Sequence, residues 1–146
     1  MTAVHIVLGV ALVAVNLGAG LYGAWGWWQW RDAPGFWPLL RVGQLLVAIE
    51  AVSGLVLSLA GEELPPLHLV YGLTPLGVAF VAEQLRVVAA QTELDHRKLE
   101  GREAIAALPE AEQRALVRAI LRREMGVMAA SALVVALLGV RASGWI

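Results

Sequence analysis

The sequence has no cysteine, a single lysine, and charged residues at only 16% of its positions. The missing cysteine excludes disulfides, thiolate metal centres, iron–sulfur clusters and cysteine nucleophiles. The scarcity of charge, against about 25% in soluble domains, argues against an ordinary water-exposed surface. There is no Walker-type phosphate loop, no dinucleotide-binding glycine fingerprint, no His-Glu-x-x-His and no Gly-x-Ser-x-Gly elbow. A net charge of −1 and a pI near 6.3 speak against a nucleic-acid partner. These absences leave little room for soluble enzymology.

What is present is apolar. Hydrophobic residues make up 59% of 146 positions, and the mean hydropathy is +0.69. A 15.6 kDa chain suits one domain. Residues 1–146 therefore read as a single integral membrane domain, with the lipid bilayer as the first partner. Four apolar stretches, 3–26, 37–60, 67–90 and 125–140, approach the ~20 residues that carry a helix across a bilayer. The fourth is short, but a helical pattern runs back into Arg114–Glu124. Lipid offers no hydrogen bonds to a bare backbone, so helices are the expected form. The first stretch lacks the basic start and cleavage site of a signal peptide and reads as a retained helix. The expected fold is all-α: a four-helix transmembrane bundle with a cytoplasmic amphipathic helix before the last span.

Ten of the eleven basic residues lie in the 1–2 loop, near it, or between spans three and four; only Arg141 falls on the other side. The positive-inside rule makes the arginine-rich side cytoplasmic and places both termini outside. Trp25, Trp27, Trp28, Trp30 and Trp37 gather at that boundary, as an aromatic belt does. The segment 91–124 carries most of the charge. Pro109, Glu110 and Glu112 mark a helix start within it. Arg114, Arg118 and Arg122 then form one basic stripe, opposite Leu116, Ile120 and Leu121. The stripe suits lipid phosphates, or docking to an anionic partner or larger membrane complex.

Spans one and three open with an echo, His5-Ile6-Val7-Leu8-Gly9 and His68-Leu69-Val70-Tyr71-Gly72. Parallel helices would put His5 and His68 at one depth. Two imidazoles on facing helices can ligate a haem iron, and Gly9 and Gly72 would leave room for a macrocycle. Haem b is the cofactor this pattern suggests; a simple interfacial pair is the plainer reading. Copper or zinc would need further ligands, with Met1, Glu62 or Glu63 as candidates.

Counting 1.5 Å per residue brings Asn16, Glu50, Thr74 and Ser131 to a common level near mid-membrane. With no base at its depth, Glu50 is expected to be held neutral, or hydrogen-bonded to Asn16 and Ser53. It could serve as a proton-relay or substrate carboxylate, or merely fix helix register. Arg41 and Glu83 match in depth near the cytoplasmic boundary and are expected to pair. Pro75 interrupts span three and could open a small cavity beside Thr74. Ala14–Gly18, Ala19–Gly23 and Gly126–Ala130 are small-residue pairs suited to close helix contact, within the bundle or in a homo-oligomer.

The run Leu67-His68-Leu69-Val70-Tyr71-Gly72, with Val81–Arg86 and Arg122–Met128, resembles a small uncharacterised four-span membrane protein family of high-GC bacteria. Ten arginines against one lysine fit such a source. The resemblance covers the whole chain and implies the topology, but no activity. A looser similarity to four-helix b-type haem proteins rests on His5 and His68. Three functions follow as expectations: an accessory or structural subunit of a membrane complex; a haem-b electron-transfer or haem-binding protein using His5 and His68; and a small transporter or proton conductor using Glu50.

Overall fold

The computed structural model describes residues 2–61 and 65–144. They form five helices: α1 (Thr2–Trp28), α2 (Phe36–Leu59), α3 (Pro66–His96), α4 (Gly101–Ala106) and α5 (Glu110–Ala142). Among the described residues, α1, α2, α3 and α5 are long and apolar enough to cross a membrane. The starts follow the local chemistry. Pro66 opens α3 at its first turn, where a missing N–H costs nothing. Pro109 precedes α5, and Glu110 and Glu112 sit against the positive end of its dipole. Gly61, at φ +89°, turns the chain just after α2 in a conformation that few other residues adopt.

Contacts between helices give an antiparallel register around the bundle. Along α1 and α2, His5 meets Gly54, Gly9 meets Glu50, Asn16 meets Gly43 and Gly23 meets Phe36. Along α1 and α5, Trp27 meets Gly126, Gly20 meets Leu133 and Val13 meets Gly139. Helix α3 runs beside α5, from His68 near Ala142 to Glu93 near Arg123. The four long helices thus follow the order α1, α2, α3, α5 around a ring, with α1 and α3 parallel across it. Of the neighbouring pairs, α2 and α3 share the shortest contact.

The firmest packing lies around Ala19, Phe36, Leu40, Met128, Ala129 and Ala132. Gly23 is its keystone: a Cβ there would stand 2.4 Å from the Phe36 ring and 3.0 Å from Ala129. The Ala19–Gly23 pair therefore does work as a close-contact notch. Ala14 and Gly18 instead face outward.

Helix α3 continues to His96, past the apolar stretch that ends at 90, and α5 begins at Glu110, where Pro109, Glu110 and Glu112 mark a helix start, and runs unbroken into the fourth apolar stretch. The stretch 91–124 consequently holds no separate amphipathic helix. It comprises the end of α3, the six-residue α4, and the first turns of α5. No proline or glycine interrupts 110–125, so nothing breaks the helix where polarity gives way to apolar sequence.

Candidate functional site

The α1–α2 register brings His5 beside Ser53 and Glu50, one turn apart on α2. His5 Nδ1 lies 2.8 Å from Ser53 Oγ and 3.1 Å from Glu50 Oε1. The Ser53 hydroxyl donates to the Glu50 backbone carbonyl at 2.9 Å, with Glu50 Oε2 also within 3.4 Å. A hydroxyl has one proton to give, so Ser53 Oγ accepts from His5 Nδ1–H. Across the ring, His68 Nδ1 stands 2.9 Å from the Ala142 carbonyl oxygen. A carbonyl can only accept, so His68 also carries its proton on Nδ1. In its neutral form each imidazole is left with Nε2 as an acceptor.

The echo on α1 and α3 does bring the two histidines together. Their rings meet edge to face, with centroids 5.8 Å apart at 63°. That is the geometry of an aromatic pair in direct contact. Nothing in it supports haem. The space that Gly9 would leave for a macrocycle holds the Glu50 carboxylate, 3.0 Å from where a Cβ would sit. Gly72 does face open space. Among the described residues no group of three His, Cys, Asp or Glu is placed to hold a metal ion. Met1, Glu62 and Glu63, the other ligands considered, lie outside the described residues.

The open space is a cavity of about 640 Å³ at the histidine end, with walls from all four long helices. His5, Glu50, His68 and Tyr71 contribute polar groups to it, and Ile6, Val13, Leu55 and Leu73 apolar ones. Its volume falls within the range of roughly 300–1,000 Å³ usual for small-molecule sites. Pro75 lines it, but Thr74 does not.

The expected mid-membrane layer does not form. Asn16 is 2% exposed, and its amide donates to the carbonyls of Leu12 (2.9 Å) and Gly43 (3.4 Å), not to Glu50. Positions 9 and 16 on α1, like 50 and 43 on α2, are seven residues apart, about 10 Å along a helix. Glu50 thus belongs to the histidine end. Thr74 is exposed and bonds back to Val70 in its own helix. Ser131 is half-buried and likewise turns back to Met128.

At the other end the polar groups satisfy one another. Arg41 Nη1 approaches Glu83 Oε1 at 2.5 Å, and Gln44 donates to the same oxygen at 2.9 Å. The expected Arg41–Glu83 pair is present. Arg86 Nε lies 3.1 Å from Glu83 Oε2, and its guanidinium stands over the Trp37 ring at 5.7 Å. Glu93 ties Arg97 (3.0 Å) to Arg123 (2.8 Å), joining α3 to α5. Arg122 stacks on Trp30 at 3.5 Å and on Trp27 at 4.9 Å, and donates to the Trp27 carbonyl. Sequence reasoning missed the Glu93–Arg123 bridge. Only its Arg97 arm, at i,i+4, could have been read from spacing. Trp25, Trp28 and Trp30 remain exposed, while Trp37 packs edge-on against Phe36.

The chain matches no protein-family model, no curated protein and no solved structure.

Proposed function

We propose that this chain is a multi-pass membrane protein that binds a small amphipathic molecule in a pocket reached from one side of the bilayer. The observation carrying this reading is the convergence of His5, Glu50 and His68, from three spans, on one cavity with largely apolar walls. An intramembrane acid with imidazole neighbours is expensive to keep and marks function by default. Toward the arginine end, Leu12, Val47 and Val135 close into a buried cluster and Asn16 packs on Gly43. A site closed on that side favours binding over proton conduction. The positive-inside rule puts the arginine end, with the first turns of α5 and their basic stripe, in the cytoplasm. The histidine pocket and both termini then lie toward the outside. A bundle that binds a ligand without a catalytic domain suits an accessory role, holding or delivering that ligand for a larger membrane complex.

The test is saturable binding of a neutral, naphthyl-sized solvatochromic probe to protein in nanodiscs. Gly72→Phe directs a ring into the cavity from a position where a Cβ meets nothing within 4 Å. The wild type should bind the probe about tenfold more tightly than this variant. Equal binding by both proteins overturns the reading.

A further inference from the structure

The polar groups on the cavity are not evenly divided between donors and acceptors. His68 gives its Nδ1–H to the Ala142 carbonyl. His5 gives its own to Ser53 and Glu50. In the neutral form each imidazole therefore keeps an Nε2 lone pair, and both rings line the cavity. Glu50 adds carboxylate oxygens, which as an anion only accept. Among the described residues Glu50 is the one acid on the cavity wall, and neither Lys nor Arg lines it. Arg141, the basic residue at this end, lies over the Tyr71 ring at 5.4 Å and is not part of the lining. The Ser58, Tyr71 and Ser143 hydroxyls also line the pocket and can donate or accept, Ser143 already donating to the Val140 carbonyl; with Glu50 ionised, the patch of Glu50, His5 and His68 offers acceptors and a negative charge. Ile6, Val13, Leu55, Leu69 and Leu73 supply an aliphatic part of the wall, and α2 and α3, which frame one side, share the least contact of any neighbouring pair.

We propose that the occupant is an amphipathic amine. Its ammonium head donates to Glu50 and to Nε2 of His5 and His68, and its apolar tail lies along Leu55, Leu69 and Leu73. An ammonium supplies three donors and no acceptor, the complement of what the wall presents. Its charge offsets a carboxylate that has little water around it: the Glu50 side chain is 15% exposed and that of His5 13%. An anionic head would meet acceptors and a like charge. A neutral alcohol would satisfy one acceptor and leave the carboxylate without a counter-ion. The tail fits walls whose polar groups are confined to one patch. This assignment rests on the pocket proposed above and adds the charge of its ligand.

Competition against the naphthyl probe in nanodiscs separates the two claims. Octylamine, octanol and octanoate share a tail and differ in the head. Octylamine should displace the probe at about one tenth the free concentration octanol needs, the value of one charge-assisted hydrogen bond over a neutral one. Octanoate should be weakest. In Glu50→Gln the advantage of octylamine over octanol should vanish, with far-UV circular dichroism showing that the variant is folded. His68→Phe should cut the octylamine advantage in part. If the probe binds saturably and Gly72→Phe blocks it, but octylamine is no better than octanol or octanoate is best, the amine assignment is overturned and the pocket survives. Retention of the full octylamine advantage in Glu50→Gln overturns it as well. If the probe does not bind, both claims fail together. Partition of the competitors into lipid is measured on empty nanodiscs and subtracted.

Discussion

At the arginine end, Glu83 meets Arg41, Gln44 and Arg86, and Glu93 meets Arg97 and Arg123, so each acid answers to two cations. At the histidine end, one acid and two imidazoles stand around 640 Å³ of space. Both ends use polar side chains drawn from different helices. In one they close contacts between helices; in the other they are arranged about a volume that no described side chain fills. Ion pairs alone are therefore poor guides to a functional site. A polar cluster that leaves acceptors facing an apolar void is a better one, because such groups are costly without a partner.

The contrast can be broken by substitutions, and the largest effect should come from glycine. Gly23→Leu drives a side chain into Phe36 and Ala129, and should destabilise the bundle by about 3 kcal/mol. Gly72→Leu, at the hollow end, should leave stability within about 1 kcal/mol of wild type. Denaturant titration in mixed micelles reads both. Similar losses at the two positions would mean that the ends are packed alike.

Asn16 marks the border between the regions. Asn16→Ala removes a side chain that is fully enclosed and should cost about 2 kcal/mol by the cavity it leaves. Ligand competition should be unaffected, since Asn16 does not line the pocket. A change in the octylamine-to-octanol ratio without loss of stability would place Asn16 in the binding site.

Glu83→Gln should cost about 1 kcal/mol, a modest figure because Arg41 is half exposed and Glu83 about a quarter. It should leave the pocket intact, as Glu50→Gln should leave the α2–α3 clamp intact. The smallest effect belongs to Arg122→Lys. Loss of guanidinium stacking on Trp27 and Trp30 should cost about 0.5–1 kcal/mol and shift tryptophan emission. An unchanged emission spectrum would show that those rings do not sense Arg122.

How much of this was legible in the sequence depends on which coordinate of a helix is asked for. Length and polarity gave the four long helices, and matched distances from the apolar edges gave the Arg41–Glu83 pair. The repeated His-x-x-x-Gly brought His5 to His68 because the two helices run parallel and start alike. Depth failed for Asn16 and Glu50. Counting from the ends of apolar runs assumes that spans start flush, whereas packing of Gly23 on Phe36 sets the α1–α2 stagger. Depth also says nothing about the direction a side chain faces around its helix. Thr74 lies two residues from Gly72 yet is turned away from the cavity, as residues two apart on a helix do not share a face. The start of α5 was legible, because Pro109, Glu110 and Glu112 mark it and no proline or glycine interrupts 110–125, whereas nothing in the pattern marked where α3 would end.

The bond from His68 to Ala142 also closes a helix. Near the end of α5 the Gly139, Val140 and Arg141 carbonyls accept from Ser143 and Gly144 just beyond it, and the Ala142 carbonyl is met by this ring from α3. The imidazole is thereby pinned to the terminus of a neighbouring helix, and it cannot swivel toward the cavity without uncapping that terminus. Its orientation is inherited from the fold rather than induced by what enters. The acceptor it offers is set before any ligand arrives, which is the condition for recognition without a conformational toll.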